Sequence, residues 1–277
     1  MTQPLLRSRV ALSRLLCATG LTLLAAIAQA ADVPVLEQVI AGAHRSAENR
    51  ARDAQRHPVE TLGFFGLAPT MTVVEILPGE GWYTEILAPY LKPAGKLVIA
   101  THEPDSPVAY RREGYKALMA KLEAAPALYS AVEPRVMWQG DGVSLGPPAS
   151  ADMVVTFRNT HNWINDGKME AVFKACFDVL KSGGVLGIEQ HRAAAGADPA
   201  ASAKKGYVPE DWLIAQLEAI GFRLAGKSEI NANPKDTKDY ADGVWTLPPV
   251  LRLGEQDRAR YVAIGESDRM TLKFVKP

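Results

Sequence analysis

Two stretches concentrate the side chains that could do chemistry. The first is Glu75-Ile76-Leu77-Pro78-Gly79-Glu80-Gly81-Trp82-Tyr83. It joins an apolar run at 71–77 to a helix-like run at 83–91. Gly79 and Gly81 carry no Cβ, so the backbone there can approach a ligand closely. A turn between a buried strand and a helix N-terminus is where open α/β sheets seat a nucleotide-like cofactor. Glu75 is placed to hold a cationic or hydroxyl group of that ligand. The second stretch is Arg158-Asn159-Thr160-His161-Asn162-Trp163, directly after the apolar run 152–157. His161, and His191 just beyond the run 185–189, are candidate catalytic groups, because an imidazole titrates near neutral pH and can serve as a general base. Capping of a loop accounts for one or two of these polar residues more readily than for the whole set.

The elements that must position these residues follow from apolar periodicity and turn chemistry. Strands are expected at 71–77, 96–101, 135–138, 152–157, 185–189, 222–230 and 270–275. Helices are expected at 36–55, 83–91, 108–124, 167–180 and 209–220. Segment 61–67 reads as an apolar approach to the sheet. Near-continuous apolar strands suit a parallel sheet covered on both faces, and alternation of strands with helices makes the sheet doubly wound. No helix-length apolar pattern separates the last two strands, so an antiparallel last strand is expected. Residues 231–269 form an insertion whose Trp245 and Arg252 could shape an acceptor pocket. Asp53, Arg56 and His57 close the N-terminal helix, where a lid is conceivable and a solvated helix end is the simpler reading.

The opening residues read differently. Arg7, Arg9 and Arg14 precede an apolar run at 15–28 that ends in Ala28-Gln29-Ala30, the pattern of a cleaved secretory signal. The run is short of the ~20 residues that span a bilayer. The expected organisation is a signal peptide at 1–30, a helical arm at 31–60 and one domain at 61–277. The protein is expected to be periplasmic or secreted, without stable membrane insertion. Removing three arginines from 31 basic side chains leaves 28 against 31 acids, which gives no reason to expect nucleic acid as a partner. Cys176 is then the single cysteine and reads as core filler. There is no His-Glu-x-x-His and no cysteine pair, so no metal site is expected.

With these motifs in order, the chain resembles the class I S-adenosylmethionine-dependent methyltransferases over residues 61–277, and more narrowly a group of predicted exported bacterial members with a Pro-Gly-x-Gly-Trp-Tyr turn. Leu77 stands where that family's first glycine is expected. The resemblance implies a Rossmann-like, mostly parallel seven-stranded sheet, S-adenosyl-L-methionine as cofactor and a small-molecule acceptor. It implies cofactor contacts at Glu75, Pro78, Gly79, Gly81 and Tyr83, a ribose-gripping acid at Glu103, an adenine neighbour at Asp141-Gly142, and methyl-facing polar groups at Arg158 and Asn159. A non-catalytic exported binding protein on the same fold is the alternative, since the cofactor is made in the cytoplasm. A nicotinamide enzyme fits less well, because Thr84 occupies the third glycine place of its fingerprint.

Overall fold

The computed structural model describes residues 1–2, 35–140 and 142–277. The signal-peptide reading lies outside the described residues. Seven strands form the main sheet: β1 (Thr72–Ile76), β2 (Lys96–Thr101), β3 (Val132–Val136), β6 (Ala151–Phe157), β7 (Leu180–His191), β8 (Arg223–Ser228) and β9 (Arg269–Val275). Two short strands, β4 (Trp138–Gln139) and β5 (Gly142–Val143), form a separate hairpin. The sheet order is β3-β2-β1-β6-β7-β9-β8. β9 runs antiparallel to both β7 and β8, and the remaining pairs are parallel. This is the expected doubly wound α/β sheet with an antiparallel last strand.

β1 lies in the interior of the sheet, between β2 and β6. Its side chains alternate between two cores. Val74 and Ile76 join Val98, Phe173 and Leu186 on one face, while Val73 joins Leu62, Ile86 and Val155 on the other. Both faces are dry, which is why the strand reads as an unbroken apolar run in sequence.

Several boundaries differ from expectation. The 36–55 helix is three pieces, Leu36–Ile40, Ala47–Ala51 and Asp53–Arg56. Ser46 starts the second piece by accepting a hydrogen bond from the Asn49 N–H at 3.1 Å, the usual N-cap geometry. The segment at 61–67 belongs to a helix, Pro58–Phe65, opened by Pro58 and closed by Gly66. The third strand begins three residues earlier than expected and contains Pro134, tolerated because β3 is an edge. Trp138 leaves it for the hairpin. Three helices between the expected elements escaped periodicity: Pro126–Tyr129, Thr160–Asn165 and Pro199–Lys204. They are too short to show a repeat. The 231–269 insertion carries the helix Arg258–Ile264 and a 3₁₀ turn, Gly243–Thr246.

The helix Pro58–Phe65 docks through Phe65, which is fully buried. A Cβ at Gly187 of β7 would stand 2.6 Å from the Phe65 ring. Gly187→Ala therefore overpacks this contact and should cost about 1–3 kcal/mol, measurable as a lower urea midpoint. A second substitution, Phe65→Leu, should recover part of that loss.

Candidate functional site

The site is built where β1 leaves the sheet. Three alternate residues there have positive φ: Leu77 at 47°, Gly79 at 60° and Gly81 at 79°. Leu77 thus adopts the left-handed conformation that glycine supplies without strain, and the chain holds it there by force of neighbours. The Leu77 N–H donates to the Ala100 carbonyl at 2.8 Å. The Asn159 amide donates to the carbonyls of Ile76 and Leu77 at 3.0 and 3.3 Å, and to Thr156 Oγ1 at 3.2 Å. Asn159, expected as a cofactor contact, is first of all a brace across the ends of β1 and β6.

The two glycines divide their work. A Cβ on Gly79 would meet nothing within 4 Å, so the turn is open at this residue. A Cβ on Gly81 would stand 3.1 Å from Leu118 and 3.3 Å from Thr84. Gly81 does not line the cleft, and its smallness serves the packing of helix Ala109–Ala124 against the turn.

Two cavities open from this bend and share Leu77, Pro78, Gly79, Tyr110, Asn159 and Asn162. The smaller, about 140 Å³, lies over the ends of β2 and β3, against Thr101, His102, Leu118 and Trp138. The larger, about 570 Å³, lies over the ends of β6 and β7. Its walls include Glu75, Trp82, Tyr83, Arg158, His161 and His191, with Trp245, Pro248, Val250 and Arg252 contributed by the insertion. The insertion therefore does reach the site.

In the smaller cavity the structure corrects the ribose-gripping acid. Glu103 does not line the cleft. β2 ends at Thr101, so His102 is the side chain presented there. Trp138 Nε1–H donates to His102 Nδ1 at 3.1 Å. Burial, with Arg111 nearby, pushes His102 down to about 4. The imidazole is neutral, and with Nδ1 accepting, its proton sits on Nε2 and can be donated. Asp141 lies outside the described residues. Gly142 is paired with Gln139 in the β4–β5 hairpin and is not on the cleft wall. Trp138, three residues before Asp141, occupies the wall instead.

In the larger cavity, Glu75 is buried and accepts from Thr84 Oγ1 at 2.6 Å. Burial raises its carboxyl to about 7, against the opposing effects of Thr84 and Lys121. Tyr83 stacks on Phe157, centroids 3.5 Å apart, and donates its hydroxyl to Glu189 at 2.9 Å. Glu189 in turn pairs with Arg269 at 2.9 Å. His161 and His191 stand in the same cavity with ring centroids 5.7 Å apart. Gln190 meets His161 Nδ1 at 3.3 Å, and Ser267 meets His191 Nδ1 at 2.5 Å. Burial lowers both, His161 to about 4 and His191 well below the usual imidazole range, with Arg158 adding to the effect on each. Both rings are neutral hydrogen-bonding groups and weaker bases than general-base catalysis favours.

The N-terminal segment does not form a lid. Asp53 pairs with Arg45 at 2.7 Å, Arg56 with Glu266 at 3.2 Å, and His57 meets Asn231 at 3.3 Å. None of the three lines the cleft. Their effect is indirect, since Arg45 and Arg56 lie over Trp82, 4.9 and 4.6 Å from its ring centroid.

No protein-family model and no curated protein sequence matches the chain. Solved structures do. A SAM dependent methyltransferase from Aquifex aeolicus superposes with a TM-score of 0.55 at 15% identity, over 82% of this chain and 93% of that one. The [4+2]-cyclase SpnF gives 0.56 at 15% identity, over 87% and 91%. The glycopeptide N-methyltransferase MtfA, complexed with S-adenosyl-L-methionine, gives 0.51 at 13% identity, over 81% and 95%. The chain shares the fold of these proteins.

The raised Glu75 carboxyl has a measurable consequence in the ligand-free protein. The folded state binds this proton more tightly than the unfolded chain, so its contribution to stability is present below pH 4.5 and is lost as pH rises toward 7. Glu75→Gln removes that loss. The stability gained by the variant over the wild type should be small at pH 4.5 and grow to about 3 kcal/mol by pH 8, read from denaturation midpoints at each pH.

Proposed function

We propose that the joined cavities bind S-adenosyl-L-methionine and that the protein transfers its methyl group to a small-molecule acceptor. One observation carries this reading: the bend after an interior strand is open at Gly79, where a side chain would occupy the cleft itself. The fold likeness to methyltransferases supports it. The donor set also fits. Glu75 would hold the cofactor's amino group, and Pro78 and Gly79 would let its chain lie against the backbone. His102 and Trp138 would face its adenosine end, with a neutral imidazole donor where the family uses a carboxylate.

The bound cofactor supplies an electrophilic methyl group on a sulfonium. The chain's residues supply alignment, which accounts for much of the acceleration of an in-line displacement. His161 and His191 orient the acceptor as neutral groups, and an acceptor that already offers a lone pair needs no strong base. Trp245, Pro248 and Val250 wall the acceptor end and exclude water from it.

We further propose that the protein acts outside the cytoplasm as one of the exported methyltransferases, on the strength of the Arg-rich, apolar, Ala-x-Ala pattern at 1–30. Intact-mass analysis of periplasmic material should show a chain beginning near Ala31, and a full-length chain there would refute export with cleavage.

Calorimetry should detect S-adenosylmethionine or S-adenosylhomocysteine binding to the wild type, and the absence of heat at millimolar ligand would refute the reading. Because the ligand's ammonium favours ionised Glu75, affinity should rise about tenfold from pH 6 to pH 8, and the rise should vanish in Glu75→Gln. Gly79→Val places its side chain in open space in the free protein, at a backbone cost of about 1–3 kcal/mol for the positive φ. It should stay folded by circular dichroism and lose binding altogether.

A further inference from the structure

Behind the larger cavity lies a group of buried charges that does not balance. Glu266 is paired with Arg52 at 2.8 Å, Arg56 at 3.2 Å and Arg269 at 3.0 Å. Glu189 takes Arg269 and the Tyr83 hydroxyl. Arg158 completes the group, so that four guanidinium groups face two carboxylates. Charges removed from water are normally paired, and here the carboxylates are already engaged by other partners.

Arg158 is the member left over, and it is the one on the cavity wall. Among the described residues it makes no ion pair within 4 Å. Its Nε is buried and has no hydrogen-bond partner. Its backbone is held at φ 62°, with the N–H donating to the Glu189 carbonyl at 2.7 Å. A non-glycine residue is thus kept in a strained conformation that turns it out of β6 at the cleft. Arg252, over the Trp245 ring at 4.8 Å, lines the same cavity.

We propose that the methyl acceptor carries a carboxylate, which binds Arg158, and an apolar body, which lies against Trp245, Pro248 and Val250. A guanidinium presents two parallel donors to a carboxylate, so the match is one of shape as well as charge. The proposal rests on the methyltransferase reading for the word acceptor. The cofactor has a carboxylate of its own, but the placement of Arg158 points elsewhere for it. Arg158 leaves β6 with its N–H donating to Glu189 of β7, the strand that carries His191. The His191 ring lies beside His161, and His161 beside Trp245, whereas Glu75 stands on β1.

Benzoate and its neutral isostere benzamide are suitable probes, titrated calorimetrically into the full protein saturated with S-adenosylhomocysteine. Benzoate should bind at millimolar concentration and benzamide about tenfold or more weakly, since the pair differ by a charge-assisted contact of ~1.4 kcal/mol or more. Arg158→Gln should lose benzoate binding by a similar factor and keep its S-adenosylhomocysteine affinity within about twofold. Arg158→Lys should fall between, which keeps the test readable if the glutamine variant folds poorly. Equal binding of the two probes, no benzoate binding, or benzoate binding indifferent to Arg158→Gln would each overturn the proposal. So would a parallel loss of S-adenosylhomocysteine affinity, which would assign Arg158 to the cofactor's carboxylate. Wild-type protein that binds benzoate through Arg158 but no S-adenosylhomocysteine would retain the anion site and sink the methyl-transfer reading instead.

Discussion

The constraint on which the site depends is the reversal of strand order between β1 and β6. From β1 the chain winds outward through β2 and β3, and from β6 it winds the other way through β7. The connections above these two neighbours therefore diverge, and a crevice at their carboxyl ends follows from topology alone. Side chains could still fill it. The left-handed residues at Leu77 and Gly79 on one side, and at Arg158 on the other, turn both strands away from the gap. Asn159 bridges the two strand ends with three hydrogen bonds and keeps the divergence fixed. Backbone strain at Leu77 and Arg158 is thus sustained by parallel-strand pairing on either side of it, and it is spent on an opening.

The electrostatics of the crevice differ from one end to the other. Over β2, His102 is neutral and presents a donor held by Trp138. Over β1, Glu75 is close to its midpoint at neutral pH, so a cation nearby can ionise it at little cost. Over β6 and β7, burial keeps His161 and His191 uncharged, and the nearby arginines add to that effect. This gradient suits a positive charge at Glu75 and a negative charge, from a second molecule, at Arg158. Deprotonation of an acceptor by either histidine is unfavourable, because a protonated imidazole there would be buried and would add to the positive charge of Arg158.

Much of the frame was legible in the residue order. Buried interior strands leave apolar runs whether parallel or antiparallel, so β1, β2, β6 and β9 were readable to within a residue or two. The bend at Gly79 was readable because glycine types mark positive φ. Glu75, Pro78, Tyr83, Arg158, His161 and His191, singled out in the sequence for chemistry, all line the larger cavity. What was not legible depends on distance along the chain. The His102–Trp138 pair spans 36 positions, and the Glu266 ion pairs with Arg52 and Arg56 span more than 200. No local pattern announces such contacts. Glu103 failed for a smaller reason: a carboxylate suits hydroxyl donors better than its neighbour His102 does, but with β2 ending at Thr101 as expected, His102 is the first residue beyond the strand and lines the cleft. Gly81 failed because a glycine's identity does not say whether a ligand or a neighbouring helix needs the space.

The insertion at 231–269 links these observations to specificity. In a doubly wound sheet the strand ends supply a crevice that many ligands can enter, and the wall raised above it decides which do. Here that wall is Trp245, Pro248, Val250 and Arg252, delivered from beyond β8. Its base is tied to the charged group itself: Asn233 accepts no freedom, since its side-chain amide donates to the Glu266 carbonyl at 2.6 Å and its N–H to Asp268 at 3.0 Å. Glu266 in turn gathers arginines from the N-terminal segment and from β9. The wall and the N-terminal helices are therefore coupled through one buried carboxylate, which is held down to about 2 by the guanidinium groups around it despite its burial. Loss of that carboxylate would leave three guanidinium groups without their common partner.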